Sequence, residues 1–149
     1  MDSPLRLRPA GPEDEAFLLA LRRDTMNEHL LRAGEATDDD SHLARLRLNY
    51  AHACVVELRG QPVGLLKLVR EAGPRGWYLN QIQLLPALHG QGLGEALLRQ
   101  AMRAAGAAGV GLHLSVLRGN PALRLYQREG FVEYRSDERN HYLHWPGST

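Results

Sequence analysis

The sequence is poor in the features that mark secreted, membrane-embedded and nucleic-acid-binding proteins. Cys54 is its single cysteine, so no disulfide can form within the chain. No stretch approaches the ~18 consecutive apolar residues of a membrane span, and residues 1–8 lack the apolar run of a signal peptide. Basic and acidic residues number 18 and 17, which leaves no charge excess to attract nucleic acid or an anionic membrane. We therefore expect a cytoplasmic protein whose partners include neither nucleic acid nor a membrane.

Patterns of metal ligands are missing as well. The seven histidines are scattered along the chain. His141 and His144 stand three apart in a predicted strand, which places their side chains on opposite faces. Zinc sites need ligands that converge at characteristic spacings. We expect no metal in this protein.

Length and hydrophobic pattern indicate a single mixed α+β domain over residues 1–149. A chain of this size buries roughly 68–70% of its unfolded surface, which is enough for one core. Apolar runs at 54–58, 63–69 and 77–85 are separated by turns that contain glycine and proline, so they predict an antiparallel meander. The alternating run at 110–116 follows a helix, and we expect it to pair in parallel with the strand before that helix.

Two helices are predicted ahead of the meander. The first begins at Pro12, has an acidic first turn and carries an apolar stripe. The residues of that stripe are Phe17, Leu18, Leu21 and Met26. The residues that mark the second helix are Leu43, Leu46 and Tyr50. Between the helices, the polar and acidic stretch from Asn27 to Ser41 predicts a connection, which is either a functional segment or a solvated linker.

A glycine-rich turn joins the last strand of the meander to a third helix. Pro86 ends the strand, and Gly90, Gly92 and Gly94 follow it. A helical period then runs through Leu97, Ala101, Ala105 and Ala108. Glycines let a ligand approach the backbone, and the first amides of a helix favour an anion. The turn is therefore a candidate phosphate site.

The two common nucleotide patterns do not fit this turn. The dinucleotide pattern requires a glycine where Glu95 stands, and no Lys-Ser or Lys-Thr pair follows as in a Walker loop. Gln91-Gly92-Leu93-Gly94 instead resembles the acetyl-CoA-binding motif of the GNAT N-acetyltransferase superfamily. His89 departs from that motif, because the family usually has Arg or Gln at its position. The resemblance implies a mostly antiparallel sheet with one parallel, splayed strand pair.

A second block resembles the same superfamily further along the chain. A short helix is predicted by Asn120 as N-cap, Pro121 in the first turn and Gly130 as C-terminal stop. These residues explain the helix without any function. The block also matches the family's Asn, Tyr and Gly-Phe pattern at a familiar distance from the glycine turn. The resemblance implies that Asn120 contacts the pantetheine arm of CoA and that Tyr126 lies near the thioester sulfur. The alternative for Tyr126 is a core aromatic on a helix face.

The resemblance implies an acyltransferase that moves an acetyl group, or another short acyl group, from acyl-CoA to an amine by direct attack. Backbone amides near Leu84 would polarise the thioester carbonyl, and Tyr126 would protonate the leaving thiolate as general acid. The residues expected to bind the donor are Ile82, Gln83, Leu84, His89, Gly90, Gln91, Gly92, Leu93, Gly94, Glu95, Asn120 and Tyr126. Acetyl-CoA is thus the expected cosubstrate.

The general base is where the sequence departs most from its relatives. Many family members carry a Glu at one of two places, which here hold Gln81 and Ser115. Neither side chain takes up a proton near neutral pH. We expect deprotonation through ordered water near the glutamines, with His113 or Glu28 as the eventual proton acceptor. His113 is more often a structural histidine in such a position, which leaves water or Glu28 ahead.

Alternatives to an active enzyme stay open. The missing carboxylate and the missing arginine are compatible with a catalytically weak CoA-binding or regulatory module, and a nucleotide binder of another class is a third possibility. The acceptor is not specified: small amines, antibiotics, amino acids, peptides and protein N-termini all remain open. A homodimer is a further open alternative for the assembly of the protein. The acidic stretch from Glu28 to Asp40 favours a cationic acceptor, because carboxylates attract ammonium groups.

Overall fold

The chain folds around one seven-stranded sheet. The structure, a computed structural model, describes residues 4–32 and 34–147, without the side chains of residues 28, 29, 32 and 72. The strands are β1 (Leu5–Pro9), β2 (Ala53–Leu58), β3 (Gln61–Gly73), β4 (Gly76–Leu84), β5 (Leu112–Leu117), β6 (Val132–Ser136) and β7 (Asn140–Trp145). They lie in the order β1-β2-β3-β4-β5-β7-β6.

Neighbouring strands are antiparallel except for β4 and β5, which run parallel. This topology confirms the predicted α+β class with one parallel pair. β4 and β5 pair only at Trp77 with Leu112 and at Tyr78 with His113. Beyond Tyr78, the described part of the sheet has no further β4–β5 pairs. The two strands therefore part and leave a cleft in the middle of the sheet.

Four helices cover the two faces of the sheet. They are α1 (Glu15–Arg32), α2 (Asp39–Arg47), α3 (Leu93–Ala107) and α4 (Ala122–Arg128), and short 3₁₀ turns occupy Pro12–Asp14, Tyr50–His52 and Pro86–Leu88. Leu65 packs in a cluster with residues of α1 and α2, whereas its neighbour Leu66 packs in a larger cluster with residues of α3 and α4. Successive strand residues point to opposite faces, so the two clusters lie on opposite sides of the sheet. No helix in the described ranges is long and apolar enough to cross a membrane.

The first two helices differ from the sequence prediction. α1 continues five residues past Asn27 to Arg32 and buries Leu30, so the predicted polar connection from Asn27 to Ser41 is wrong. Three acidic residues of that stretch, Asp38, Asp39 and Asp40, lie at the start of α2. The Asp38 side chain accepts a hydrogen bond from the Ser41 amide at 3.0 Å. The acidic cluster is an N-cap and first turn, a placement that stabilises a helix.

The end of α2 differs as well. The helix stops at Arg47, and Asn49 adopts the left-handed conformation with φ 59°. Tyr50 therefore belongs to a separate 3₁₀ turn, where its hydroxyl donates to the Gly11 carbonyl at 2.8 Å. A left-handed residue breaks a right-handed helix, which the i, i+7 spacing of apolar residues could not reveal.

Candidate active site

The cleft between β4 and β5 opens into two adjoining cavities. One, of about 500 Å³, lies at the turn of Gly90, Gly92 and Gly94 and is called here the glycine cavity. The other, of about 300 Å³, includes Arg22 and Arg45 and is called the arginine cavity. Five residues line both cavities: Met26, Ile82, Gln83, Asn120 and Tyr126. The two spaces therefore meet where α1, β4 and α4 come together.

Open backbone forms the wall of the glycine cavity at the turn. Gly90 and Gly92 have φ of 80° and 77°, and a Cβ built on either of them or on Gly94 meets no heavy atom within 4 Å. The first intrahelical hydrogen bond of α3 runs from the Ala96 amide to the Gly92 carbonyl at 3.1 Å. The amides of residues 93–95 thus have no helical acceptor. Free donors beside open space, at the positive end of a helix, suit a phosphate group.

His89 lines the glycine cavity but is already engaged with the backbone. Its Nε2 donates to the Leu84 carbonyl at 2.9 Å, because a carbonyl oxygen can only accept. This bond ties the glycine turn back to the end of β4. Gln91 and Leu93, also predicted to bind the donor, belong to the turn but do not line the cavity. The other ten predicted donor-binding residues line it.

The carboxylate of Glu95, in the first turn of α3, is engaged in a network behind it. Arg99 pairs with Glu95 at 2.8 Å and donates two hydrogen bonds to Glu129, at 2.8 and 3.1 Å. The Arg99 guanidinium holds the pKa of Glu129 below its usual value. Arg128 adds a positive charge to the lining of the cavity. The cavity therefore presents the helix N-terminus and an arginine to an anion.

Tyr126 stands at the junction of the two cavities. Asn120 positions its helix, since the Asn120 side-chain oxygen accepts a hydrogen bond from the Ala122 amide at 2.9 Å. Tyr126 is 8% exposed and packs edge-to-face on Phe131 with ring centroids 5.9 Å apart. Burial raises its pKa to about 12, and no described residue hydrogen-bonds to its hydroxyl. Tyr126 is thus both a core aromatic and a protonated hydroxyl beside the cleft.

Three amide side chains of β4 lack partners beside the arginine cavity. Gln81 pairs with Lys67 and Leu79 with Leu68, so Asn80 is an extra residue that bulges the strand. Within the described chain, no group bonds to the buried side-chain oxygens of Asn80, Gln81 and Gln83. All three residues line the arginine cavity. Buried polar atoms usually have a partner, so these three oxygens are unusual for a folded interior.

The structure brings only some of the predicted base residues to the cleft. Gln81 and Ser115 line the arginine cavity together with Tyr126. His113 lines neither of the two cavities and packs edge-to-face on Tyr78 at 5.0 Å. Burial, with a smaller contribution from His144, lowers the pKa of His113. Glu28 lies on α1, and its side chain is outside the described residues.

Two buried cations near the arginine cavity are satisfied in different ways. Lys67 is fully buried, and its ammonium donates to the carbonyls of Arg45, Leu46 and Leu48 at 3.2, 2.6 and 2.7 Å. It closes the end of α2. The side chain of Arg22, a residue that is 4% exposed, makes one described hydrogen bond, from Nε to His42 Nδ1 at 3.0 Å. Burial, with Arg45 next, lowers its pKa to about 10.

His42 holds the Arg22 guanidinium in place. Because His42 Nδ1 accepts from Arg22, its Nε2 carries the proton and donates to Asn27 Oδ1 at 2.6 Å. Burial lowers the pKa of His42, which keeps the ring neutral and able to accept. Arg22 and Arg45 were not predicted from the sequence. The available signal was the position of Arg22, four residues after buried Leu18 on the inward face of α1.

The sequence matches a family model described as an acetyltransferase (GNAT) domain over residues 49–133, which include the glycine turn and the whole of the second block. No curated protein matches the sequence. Among the described residues, no three His, Cys, Asp or Glu side chains group as metal ligands.

Solved structures share the fold at low sequence identity. An acetyltransferase from Thermus thermophilus has a TM-score of 0.75 and 22% identity, covering 95% of this chain and 96% of that one. The PaiA N-acetyltransferase from Thermoplasma acidophilum, in complex with coenzyme A, has a TM-score of 0.73 and 17% identity, covering 95% and 98%. Ard1 from Thermoplasma volcanium has a TM-score of 0.72 and 16% identity, covering 99% and 100%.

Proposed function

Since the chain belongs to the GNAT acetyltransferase family and is therefore an acetyltransferase, we propose that it transfers the acetyl group of acetyl-CoA to the primary amine of a small acceptor. The observation that carries this proposal is the meeting of two cavities at Tyr126 and Gln83, inside the split of the sheet. One cavity is shaped for a phosphate-bearing donor and the other for a smaller molecule. The reacting groups would meet at their junction.

The glycine cavity fits the donor. The free amides of residues 93–95 would donate to the pyrophosphate, and the open space beside Gly94 leaves room for it. Because β5 leaves β4 after Tyr78, the edge of β4 at Ile82 to Leu84 is open to the cleft. An extended pantetheine arm would pair with that edge as an added strand does. Asn120, which lines both cavities, would contact the same arm.

The chemistry proposed for the junction is direct attack. The neutral amine attacks the thioester carbonyl, whose developing negative charge would be stabilised by backbone amides near Leu84. The carbon–sulfur bond then breaks, and Tyr126 gives its proton to the thiolate. The attacking nitrogen loses a proton to water held by Gln81 and Ser115, and solvent restores the proton of Tyr126.

Acetyl-CoA binding and turnover can be measured separately. We expect acetyl-CoA to raise the melting temperature of the pure protein and a panel of amines to release free thiol from it. Binding without thiol release from any amine would support the CoA-binding module instead, a function that Gln81 and Ser115 favour because neither is a base. Absence of any thermal shift would contradict both functions.

A further inference from the structure

Arg22 is a buried cation with no carboxylate partner in the described chain. Its guanidinium is fixed through Nε on His42 and lines the arginine cavity. No described hydrogen bond uses its Nη1 or Nη2 groups. A buried charge without a counterion is strongly unfavourable, so natural proteins pair such charges or use them. Lys67, whose three donors are all taken by carbonyls, shows what a purely structural buried cation looks like in this fold.

The other charges around the cavity do not neutralise Arg22. Glu35 is the single carboxylate among the described residues that line the arginine cavity. It is shared between Arg45 at 3.6 Å and Arg139 at 3.0 Å. Asp39 pairs with exposed Arg23 at 3.0 Å, and Asp38 caps α2. The described acidic residues that suggested a cationic acceptor are thus largely engaged elsewhere.

We propose that the amine acceptor also carries a carboxylate, which Arg22 binds inside the arginine cavity. This inference rests on the proposed acetyl transfer and specifies its substrate class. The fork of Nη groups left free by the His42 contact can hold a carboxylate in a bidentate manner. Gln81 lines the arginine cavity and Gln83 lines both cavities, so their amide groups can contact the amine of the acceptor. A cavity of about 300 Å³ has room for a molecule of amino-acid size.

Matched pairs of substrates test this proposal even though the natural acceptor is not identified. The probes are glycine, L-alanine, L-methionine, L-glutamate and 4-aminobutyrate, each assayed beside its carboxamide with thiol release as readout. We expect kcat/KM for at least one acid to exceed that of its amide by about 10- to 150-fold, the range for hydrogen bonds to a charged group. The amine of the amide deprotonates more easily, so basicity alone would give the opposite preference.

The Arg22→Met variant removes the charge while keeping the length of the side chain. We expect it to raise KM for the preferred acid, with a smaller change in kcat, and to abolish the acid-over-amide preference. Arg23→Gln is the matched control, because exposed Arg23 is the next residue of α1 and pairs only with Asp39 among the described residues. Arg23→Gln should keep the preference. If Arg22→Met does not fold, the ratio of kcat/KM for the acid and its amide in the wild type still tests the proposal.

Failure of this proposal differs from failure of the proposed function. Rapid acetylation of amides and simple amines at the same rate as acids, unchanged in Arg22→Met, would overturn the carboxylate site while acetyl transfer stands. Thermal protection by an acid but not its amide, in the presence of CoA and lost in Arg22→Met, would support the site even if no turnover were found. Equal protection by acid and amide would contradict the site.

Discussion

The glycine cavity and the arginine cavity share a wall at Tyr126 but are built from different materials. The glycine cavity presents backbone: the amides at the start of α3, an open face of glycines and the free edge of β4. The arginine cavity presents side chains that come from α1, α2, β4, β5 and the beginning of β7. A cavity made of backbone tolerates many sequences, whereas one made of side chains changes with each substitution. This difference agrees with the proposal that the first holds a constant donor and the second a particular acceptor.

The largest expected effect is at the wall that both cavities share. Tyr126→Phe removes the hydroxyl that we assign to protonating the thiolate, a species that exists only after attack. We expect kcat to fall about 10²- to 10⁴-fold, the range for one general acid, while the Kd for acetyl-CoA changes little. Rapid kinetics of thiol release and a binding titration measure the two quantities.

The burial of Tyr126 allows a second measurement, the dependence of kcat on pH. Because the pKa of Tyr126 is raised to about 12, the hydroxyl stays protonated throughout the assay range, so kcat should show no decline near pH 10 from its ionisation. Phe131 supplies the control: Phe131→Leu alters the ring packed against Tyr126 but keeps the hydroxyl. Equal kcat in Tyr126→Phe and wild type would return Tyr126 to a packing role alone.

The difference between the cavities explains what the sequence could predict. The glycine turn and the Asn120 block are local patterns, since strand, turn and helix follow one another within about twenty residues. The arginine cavity depends on which distant elements meet. Arg22 and Gln81 are brought together by packing of α1 over the sheet, and no local period records that. The bulge at Asn80 left no local signal either.

The helices show the same difference between what local patterns predict and what depends on contacts. Hydrophobic spacing located α3, and the start and stop signals at Asn120, Pro121 and Gly130 located α4. Hydrophobic spacing was less successful for the first two helices. It misplaced the end of α1 and the start of α2, because the many polar and acidic residues of 27–41 outweighed Leu30 and Leu31 in the prediction. Leu30 is buried there, and the three aspartates begin a helix. An acidic first turn and an acidic linker have the same composition, and only the contacts distinguish them.

A second prediction tests whether the glycine cavity depends on open backbone. Gly92 is a poor position for this test, because its φ of 77° strains any side chain. Gly94 has no such φ and faces open space, so Gly94→Val adds bulk beside the free amides without a clash in the protein. We expect the Kd for acetyl-CoA to rise about 10- to 100-fold, equivalent to losing one charge-assisted hydrogen bond. Calorimetric titration measures this change.

Gly73→Val is the matched control for that variant. Gly73, at the end of β3, also lacks a positive φ, and its nearest neighbour lies 4.0 Å from an added Cβ. It belongs to neither cavity, so its Kd for acetyl-CoA should equal that of the wild type. If Gly94→Val also binds normally, the phosphates do not pass over this turn.

The smallest expected effect on catalysis concerns His113, which shares a strand with Ser115 but not its access to the cleft. His113→Gln keeps a side chain of similar length and removes the titrating ring. We expect kcat/KM for both proteins to rise with pH toward the pKa of the amine substrate, with superimposable profiles and no separate inflection near ~6.5, the ordinary histidine value. An inflection near neutrality that vanishes in the variant would make His113 the base and remove the water relay.

The His113→Gln substitution should change how stability depends on pH, even though it leaves the pH profile of kcat/KM unchanged. The pKa of His113 is lower in the folded protein than in the unfolded chain, chiefly because of burial. Between the folded and unfolded values, the unfolded chain therefore binds more protons, so the free energy of unfolding falls as pH drops below about 6.5. His113→Gln loses this contribution while His42, also lowered, remains in both proteins. The melting temperature of the variant should thus decline less between pH 7 and pH 5, and an equal decline would mean that the ring titrates normally in the folded state.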